Sequence, residues 1–271
     1  MMEYGSTLFK GTASYYSRCR PLYPASLVRF AVKRFGLDGT GRMLDAGCGP
    51  GQLACRFSDW FETITGIDTE EEMIDEASRL SKENRVDNAE WIHSDAETFV
   101  KTAPSSFRLV IIAKAFHWMD RRALLDSLYP KVSPGGGVII IDEAPPKSRP
   151  LWKGTVNDVV EEWYGRNRRA GKTTYSHPEV SHEEVIEDSR FTLEVHELPP
   201  FQVSWTVDVI IGYLYSTSYG RKAFLGEKAE AFEGHMREAL MMIDPSGVFK
   251  ETITLKLKLA IKKGGTVGRE D

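Results

Sequence analysis

The residues most able to do chemistry lie at the ends of apolar runs. Met43-Leu44-Asp45-Ala46-Gly47-Cys48-Gly49-Pro50-Gly51-Gln52 passes from a short apolar stretch through an acid to glycines at every second position. Glycine permits φ > 0 and lets a ligand approach backbone where a Cβ would clash. A helical pattern resumes at Leu53, so the turn offers unpaired N–H groups and the positive end of a helix dipole. This is a binding turn of nucleotide type. Asp68 and Asp95 close the next two β-rich runs, and Asp68 lies near the distance expected of a ribose-binding acid. Lys114 and Phe116-His117-Trp118 follow a fourth run, where a neutral His117 imidazole is placed to take a proton near neutral pH. A second cluster holds Tyr15, Tyr16, Arg18, Arg20 and Tyr23. A guanidinium there matches a carboxylate bidentately, and phenols can close a pocket.

These groups need a scaffold, and the hydrophobic pattern supplies one. Pro21 and Pro24 prevent a continuous helix, so residues 15–24 read as a helical turn and an extended bend. Ala25 to Phe35 has helical spacing and ends at Gly36. Residues 42–46 form the first strand, and Gln52 to Phe57 the helix after the glycines. Glu62 to Asp68, Ala89 to His93, Phe107 to Ala113 and Val138 to Ile141 read as further strands. Helices fall at Glu70 to Asn84 and Arg121 to Tyr129, and Ser133-Pro134-Gly135-Gly136-Gly137 is a break. Strand, helix, strand at this spacing predicts a parallel, doubly wound sheet. Past residue 150 the rhythm changes to polar helices with aromatic positions. Phe191 to Leu198 and Glu251 to Lys262 are strands, the latter half-exposed near a sheet edge. Val207 to Ser216 and Ala223 to Met242 are helical.

The glycine pattern leaves two ligands open. Gly49-Pro50-Gly51-Gln52-Leu53-Ala54 fits the dinucleotide fingerprint with Ala in the last place. The acid two residues before the first glycine argues for another ligand. Asp45 is poorly placed for a diphosphate and well placed to face the cationic sulfonium and ammonium of S-adenosylmethionine. Leu44 to Gly51, Asp68, Ser94-Asp95-Ala96, Ala115-Phe116-His117-Trp118 and Leu128 with Pro134-Gly135-Gly136 together resemble the class I S-adenosylmethionine-dependent methyltransferases. The resemblance is closer to their type 11 small-molecule group. Tyr16, Arg20-Pro21 and Tyr23-Pro24 are similar to the opening of its trans-aconitate-methyltransferase-like branch, and Tyr213 to Ser218 resembles a helix of that branch. The motifs are dense over residues 15–145.

The resemblance implies a doubly wound, Rossmann-like seven-stranded sheet with the last strand antiparallel, S-adenosylmethionine over the strand ends, and S-adenosylhomocysteine as product. By the same resemblance Asp45, Ala46, Gly47, Gly49 and Gly51 form the cofactor turn. Asp68 takes the ribose hydroxyls, and Thr69 and Met73 border the adenine. Asp95 accepts from the adenine amino group while the Ala96 N–H reads a ring nitrogen. Lys114 lies near the methionine part, and Arg20 meets the cofactor carboxylate. Tyr16 and His117 are the candidate catalytic residues. Tyr15, Tyr23, Phe116, His117, Trp152, Tyr175 and Tyr213 are candidates to line the acceptor. Plainer roles stand beside these: Asp68 and Asp95 as helix caps, Met73 as core, His117 bonded to backbone, and Trp118 as packing.

Residues 1–40 read as a helical segment over the site and 41–145 as the cofactor core. Residues 146–190 read as a helical cap insertion, 191–263 as the completion of the sheet, and 264–271 as a disordered tail. A net charge of −4 argues against a nucleic-acid or anionic-membrane partner. No stretch reaches the roughly 18–20 apolar residues of a membrane span. Cys19, Cys48 and Cys55 show no metal or disulfide spacing, so no metal and a reducing cytoplasm are expected. The reading is a small-molecule methyltransferase, monomeric or homodimeric. Its rivals are an NAD-dependent oxidoreductase and a non-catalytic S-adenosylmethionine-binding module.

Overall fold

A computed structural model describes residues 8–264 except 105, 147, 168, 171–172 and 175–177. The expected tail beyond residue 264 therefore lies outside the described residues. Helix α1 (Ala13–Cys19) leads through the extended Pro21 to Pro24 bend into α2 (Ala25–Phe35), which ends on Gly36 in the left-handed conformation. The βα alternation then runs β1 (Arg42–Ala46), α3 (Gln52–Cys55), β2 (Thr63–Asp68), α4 (Glu71–Glu83), β3 (Ala89–His93), α5 (Ala96–Thr102), β4 (Phe107–Ala113), α6 (Arg121–Leu128) and β5 (Val132–Glu143). After it come α7 (Leu151–Tyr164), the short β6 (Arg169–Ala170) and β7 (Thr173–Thr174), α8 (His182–Glu187), β8 (Thr192–Glu197), β9 (Phe201–Thr206), α9 (Val207–Tyr215), α10 (Ala229–Ile243), β10 (Val248–Ile253) and β11 (Leu255–Ile261).

The main sheet has the order β3-β2-β1-β4-β5-β11-β8. β1 to β5 pair in parallel, and β11 runs antiparallel to both neighbours. The doubly wound sheet with its last strand antiparallel is thus present. Alternate residues of the central strands feed two cores, as burial on both faces requires. Leu44, Val110 and Ile140 meet α5, α6 and α8 on one face, while Met43, Leu109 and Ile139 meet α2 and α3 on the other.

Several sequence expectations change. The Glu251 to Lys262 strand divides. β10 alternates exposed and buried and pairs with β9, whereas β11 is buried nearly throughout. The lysines that made β11 look half-solvated are paired: Lys258 donates to Asp142 at 2.6 Å and Lys256 meets Glu183 of α8 at 2.6 Å. Ser133 to Gly137 are not a break but the opening of β5, where a Cβ on Gly136 or Gly137 would meet the Arg108 or Ala260 carbonyl. α7 packs with α9, α10, β9 and β10 in a third cluster, and Val185 and Ile186 of α8 belong to the sheet core. α3 is only four residues long, so it brings little of the expected helix dipole to the glycine turn.

Trp91 of β3 shapes the cofactor end of the sheet. A Cβ on Gly51 or on Gly66 would overlap its ring, and its indole donates to Ser81 Oγ at 3.1 Å. Overpacking of this kind costs roughly 1–3 kcal/mol. Gly66→Ala is therefore expected to lower unfolding stability by about that amount in urea titration. In the double variant with Trp91→Leu the two losses should sum to less than additive; strict additivity would contradict the close approach.

Candidate active site

The end of β1 and the start of α3 form a tight cradle. Gly47, Gly49 and Gly51 all have positive φ. Two of these glycines have packing reasons that the sequence did not show. A Cβ on Gly47 would overlap Ala115, and one on Gly51 would overlap Trp91. Gly49 faces open space beside the Tyr16 ring, whose nearest atom would lie 3.7 Å from a Cβ there. Asp68, at the tip of β2, ties the cradle together. Its Oδ2 accepts from the Gly49 N–H at 2.8 Å and its Oδ1 from the Glu70 N–H at 3.0 Å. Burial raises its pKa against the pull of those N–H donors.

Asp45 is the unusual group. It is 1% exposed, and neither carboxyl oxygen has a hydrogen-bond partner among the described residues. Burial, with the neighbouring Asp68 charge, pushes its pKa up to about 7 against a weaker pull from the Ala54 N–H, which lies outside hydrogen-bond geometry. An orphaned buried acid beside a glycine cradle fits a ligand that brings positive charge, as the sulfonium and ammonium of S-adenosylmethionine do. Asp45, Gly49, Asp68 and Tyr16 would hold that cofactor.

The N-terminal segment is strapped over this end of the sheet. The Phe9 and Gly11 N–H groups donate to Glu70 and Glu72 at 2.7 and 2.6 Å. Ser17 donates to Glu76 at 2.5 Å, and Gln52 donates to the Ser17 carbonyl at 2.7 Å. Against the cap, Tyr15 meets Tyr215 edge-on at 5.2 Å, and Cys19 fills the space that a side chain on Gly212 would take. Between strap and cap lies a cavity of about 450 Å³. Arg20 stands in its wall, 4.4 Å from the Tyr16 ring centre and 4.9 Å from that of Tyr213. Its Nε donates to Ser216 Oγ at 2.8 Å and an Nη to the Ser216 carbonyl at 3.1 Å. Lys114, held at φ +53° after β4, lines the same cavity and pairs with Glu143. Burial pushes Glu143 up, but Lys114, with Lys153 and Arg20 behind it, holds its pKa below the usual carboxylate value.

The structure brings some of the expected residues together and separates others. Tyr16, Arg20, Tyr23, Lys114, Trp152 and Tyr213 line the cavity. Ala46 is buried at the end of β1 in the sheet core, and Thr69 is exposed, with its carbonyl accepting from His93 Nε2 at 3.0 Å. Met73 is 2% exposed on the inner face of α4. Asp95 is the N-cap of α5, accepting from Thr98 N–H at 2.7 Å, and Ala96 is buried under it. Phe116 is buried against the His182 ring, 5.0 Å away. His117 leans on Trp118 at 4.5 Å in the turn after β4 and is not among the cavity-lining residues. Neither is Tyr15, whose ring is taken by Tyr215. Tyr175 lies outside the described residues. Sequence reasoning missed Ser216, which anchors Arg20, although it belongs to the singled-out Tyr213 to Ser218 segment. It also missed Glu143, Lys153 and Glu251, which no local spacing marks as neighbours.

Asp45 makes a sharp pH prediction. Its folded-state pKa is raised, so its protonated form adds stability that is complete below the ordinary carboxylate pKa of about 4 and is lost as pH rises toward 7. Asp45→Asn cannot ionise and removes this slope. The variant should gain unfolding stability relative to wild type between about pH 5 and pH 7.5, measured without ligand. Parallel pH profiles would contradict the orphaned-acid account.

Residues 43–136 match the family described as "Methyltransferase domain". Saccharomyces cerevisiae "Probable S-adenosylmethionine-dependent methyltransferase CRG1" is 30% identical over 122 residues, covering 45% of this chain and 40% of that protein. The Escherichia coli K12 "tRNA 5-carboxymethoxyuridine methyltransferase" is 30% identical over 97 residues, covering 35% of this chain and 37% of that one. The chain thus spans less than half the length of either relative. A solved structure from Anaeromyxobacter dehalogenans, described as a type II methyltransferase candidate, superposes with a TM-score of 0.58 at 23% identity, over 90% of this chain and 97% of that one. Residues 43–136 are therefore similar to a methyltransferase domain, and the sheet they open has the doubly wound, Rossmann-like fold of that solved structure.

Proposed function

We propose that this protein transfers the methyl group of S-adenosylmethionine to a carboxylate oxygen of a small organic acid, as the resemblance to the trans-aconitate-methyltransferase-like branch implies. One observation carries the reading. The cavity holds four cations, Arg20, Lys114, Arg149 and Lys153, against two carboxylates, Glu143 and Glu251. Ser216 fixes Arg20 through Nε and one Nη, and neither bond uses Nη1. A pre-oriented guanidinium in a cavity with an excess of two positive charges favours an anionic guest. The E. coli relative's name gives an acceptor that bears a carboxymethoxy group, and this supports the same chemistry. A metabolite rather than tRNA is favoured by the walled cavity and the net charge of −4.

Methyl transfer from a sulfonium is an in-line displacement onto a donor already activated by its charge. The protein's work is to align nucleophile, methyl and sulfur and to exclude water. A carboxylate reaches the reaction already deprotonated, so no general base is required. That removes the need for His117, which stands outside the cavity lining. Arg20 and Lys114 orient the acid, while Tyr16 bridges the two halves of the site, touching Arg20 on one side and the Gly49 cradle on the other.

An S-adenosylhomocysteine-release assay across carboxylic acids tests this. Arg20→Lys keeps the charge but loses the fork and the Ser216 grip, and should raise KM for the acid about tenfold or more. His117→Ala should leave the pH–rate profile unchanged in shape. A profile that loses a limb near neutral pH would return His117 to catalysis and count against a carboxylate nucleophile.

A further inference from the structure

One wall of the cavity is formed by the β9–β10 ribbon, through Phe201, Trp205, Glu251 and Ile253. Phe249 stands opposite Trp205, and Glu251 opposite Val203. Trp205 and Glu251 are therefore diagonal neighbours on one face of the ribbon. Both line the cavity, and they are only 4% and 8% exposed. Glu251 Oε1 accepts from Lys153, but its Oε2 has no partner among the described residues. The Trp205 indole N–H has none either. The neighbouring indole of Trp152 is by contrast satisfied, donating to the Lys250 carbonyl at 3.4 Å. Buried polar groups are nearly always paired, so two orphans on one cavity wall point to a polar guest.

Their chemistry defines that guest. A carboxylate oxygen only accepts and an indole N–H only donates. An ammonium has nothing to offer the indole, and a second carboxylate has nothing to give Glu251. A hydroxyl both donates and accepts from one atom. Lys153 already balances the Glu251 charge, so a neutral guest suits the pair. Glu251 lies four residues before Leu255, which pairs with Glu143, the partner of Lys114. At ~3.3 Å per residue, Glu251 lies at most roughly 13 Å along the chain from Leu255, the residue beside Glu143. Apolar Phe201 and Ile253 line the cavity with them.

We propose that the methyl acceptor is a hydroxy acid. Its carboxylate meets Arg20 and Lys114, and an apolar body carries a distal hydroxyl that donates to Glu251 Oε2 and accepts from Trp205 Nε1. This rests on the reading of the cavity as the site of an acidic acceptor. A site built to bond a hydroxyl rejects the analogue without one, because its own polar groups are then left unpaired.

Titration calorimetry on the protein loaded with S-adenosylhomocysteine provides the test. Hydroxyphenylpropanoate is compared with phenylpropanoate, and ω-hydroxyoctanoate with octanoate. The hydroxylated member of at least one pair should bind at least tenfold tighter. Trp205→Phe, which keeps the ring and removes the donor, should cut that ratio to about threefold or less, and Glu251→Gln should also reduce it. Equal wild-type affinity within each pair overturns the hydroxyl assignment and leaves the acid reading standing. An undiminished ratio in both variants overturns it too. If no acid binds in either form, the acid reading falls and this proposal falls with it.

Discussion

The site depends on how the Arg20 guanidinium is held. α1 delivers it, Tyr16 and Tyr213 sandwich it, and Ser216 at the end of α9 receives two of its donors. That one side chain joins the N-terminal strap to the cap, and the cavity exists because those two layers meet over the strand ends. A charge in such a place is not a surface ion pair worth under about 1 kcal/mol. At 4 Å and an effective dielectric near 20, a unit charge is worth about 4 kcal/mol to an anion. The surrounding acids do not cancel it. Glu143 is engaged with Lys114 and Glu251 with Lys153, so the excess positive charge is left for a guest.

The cofactor side follows the opposite logic. Asp45 and Asp68 put two carboxylates under a cradle of glycines, and burial raises the pKa of both. One is tied to backbone N–H groups, and the other has no hydrogen-bond partner among the described residues. A negative pocket suited to a cationic donor thus lies next to a positive one that, under the proposed function, takes an anionic acceptor, with Tyr16 against both. Charge alone would sort the two ligands to their places before any shape is read.

The parallel half of the chain was legible because its signals are local. β1 and β4 are short buried runs bounded by turn residues, and α2 stops at Gly36 where a left-handed C-cap is needed. What the sequence hid was long-range. Lys256 and Lys258 read as solvated until Glu183 and Asp142 arrive from elsewhere in the chain. Gly136 and Gly137 read as a break because the carbonyls crowding them belong to β4 and β11. β9 went unread, since its pairing with β10 joins residues more than forty apart. In the site, the glycines, Asp45 and Asp68 were visible as a motif. Arg20 was visible as a residue, but its partner Ser216 is not adjacent in sequence. Asp95 caps α5 and Met73 is buried in the core, which local spacing already allowed.

Under the proposed function the methyl group arrives on a carboxylate. The most direct measurement uses S-adenosylmethionine labelled in its methyl group, with the acid that is turned over, followed by mild alkali. A methyl ester releases the label as volatile methanol, and this is the expected result. A label that stays on the product through alkali, as an ether, N-methyl or C-methyl group would, contradicts the account.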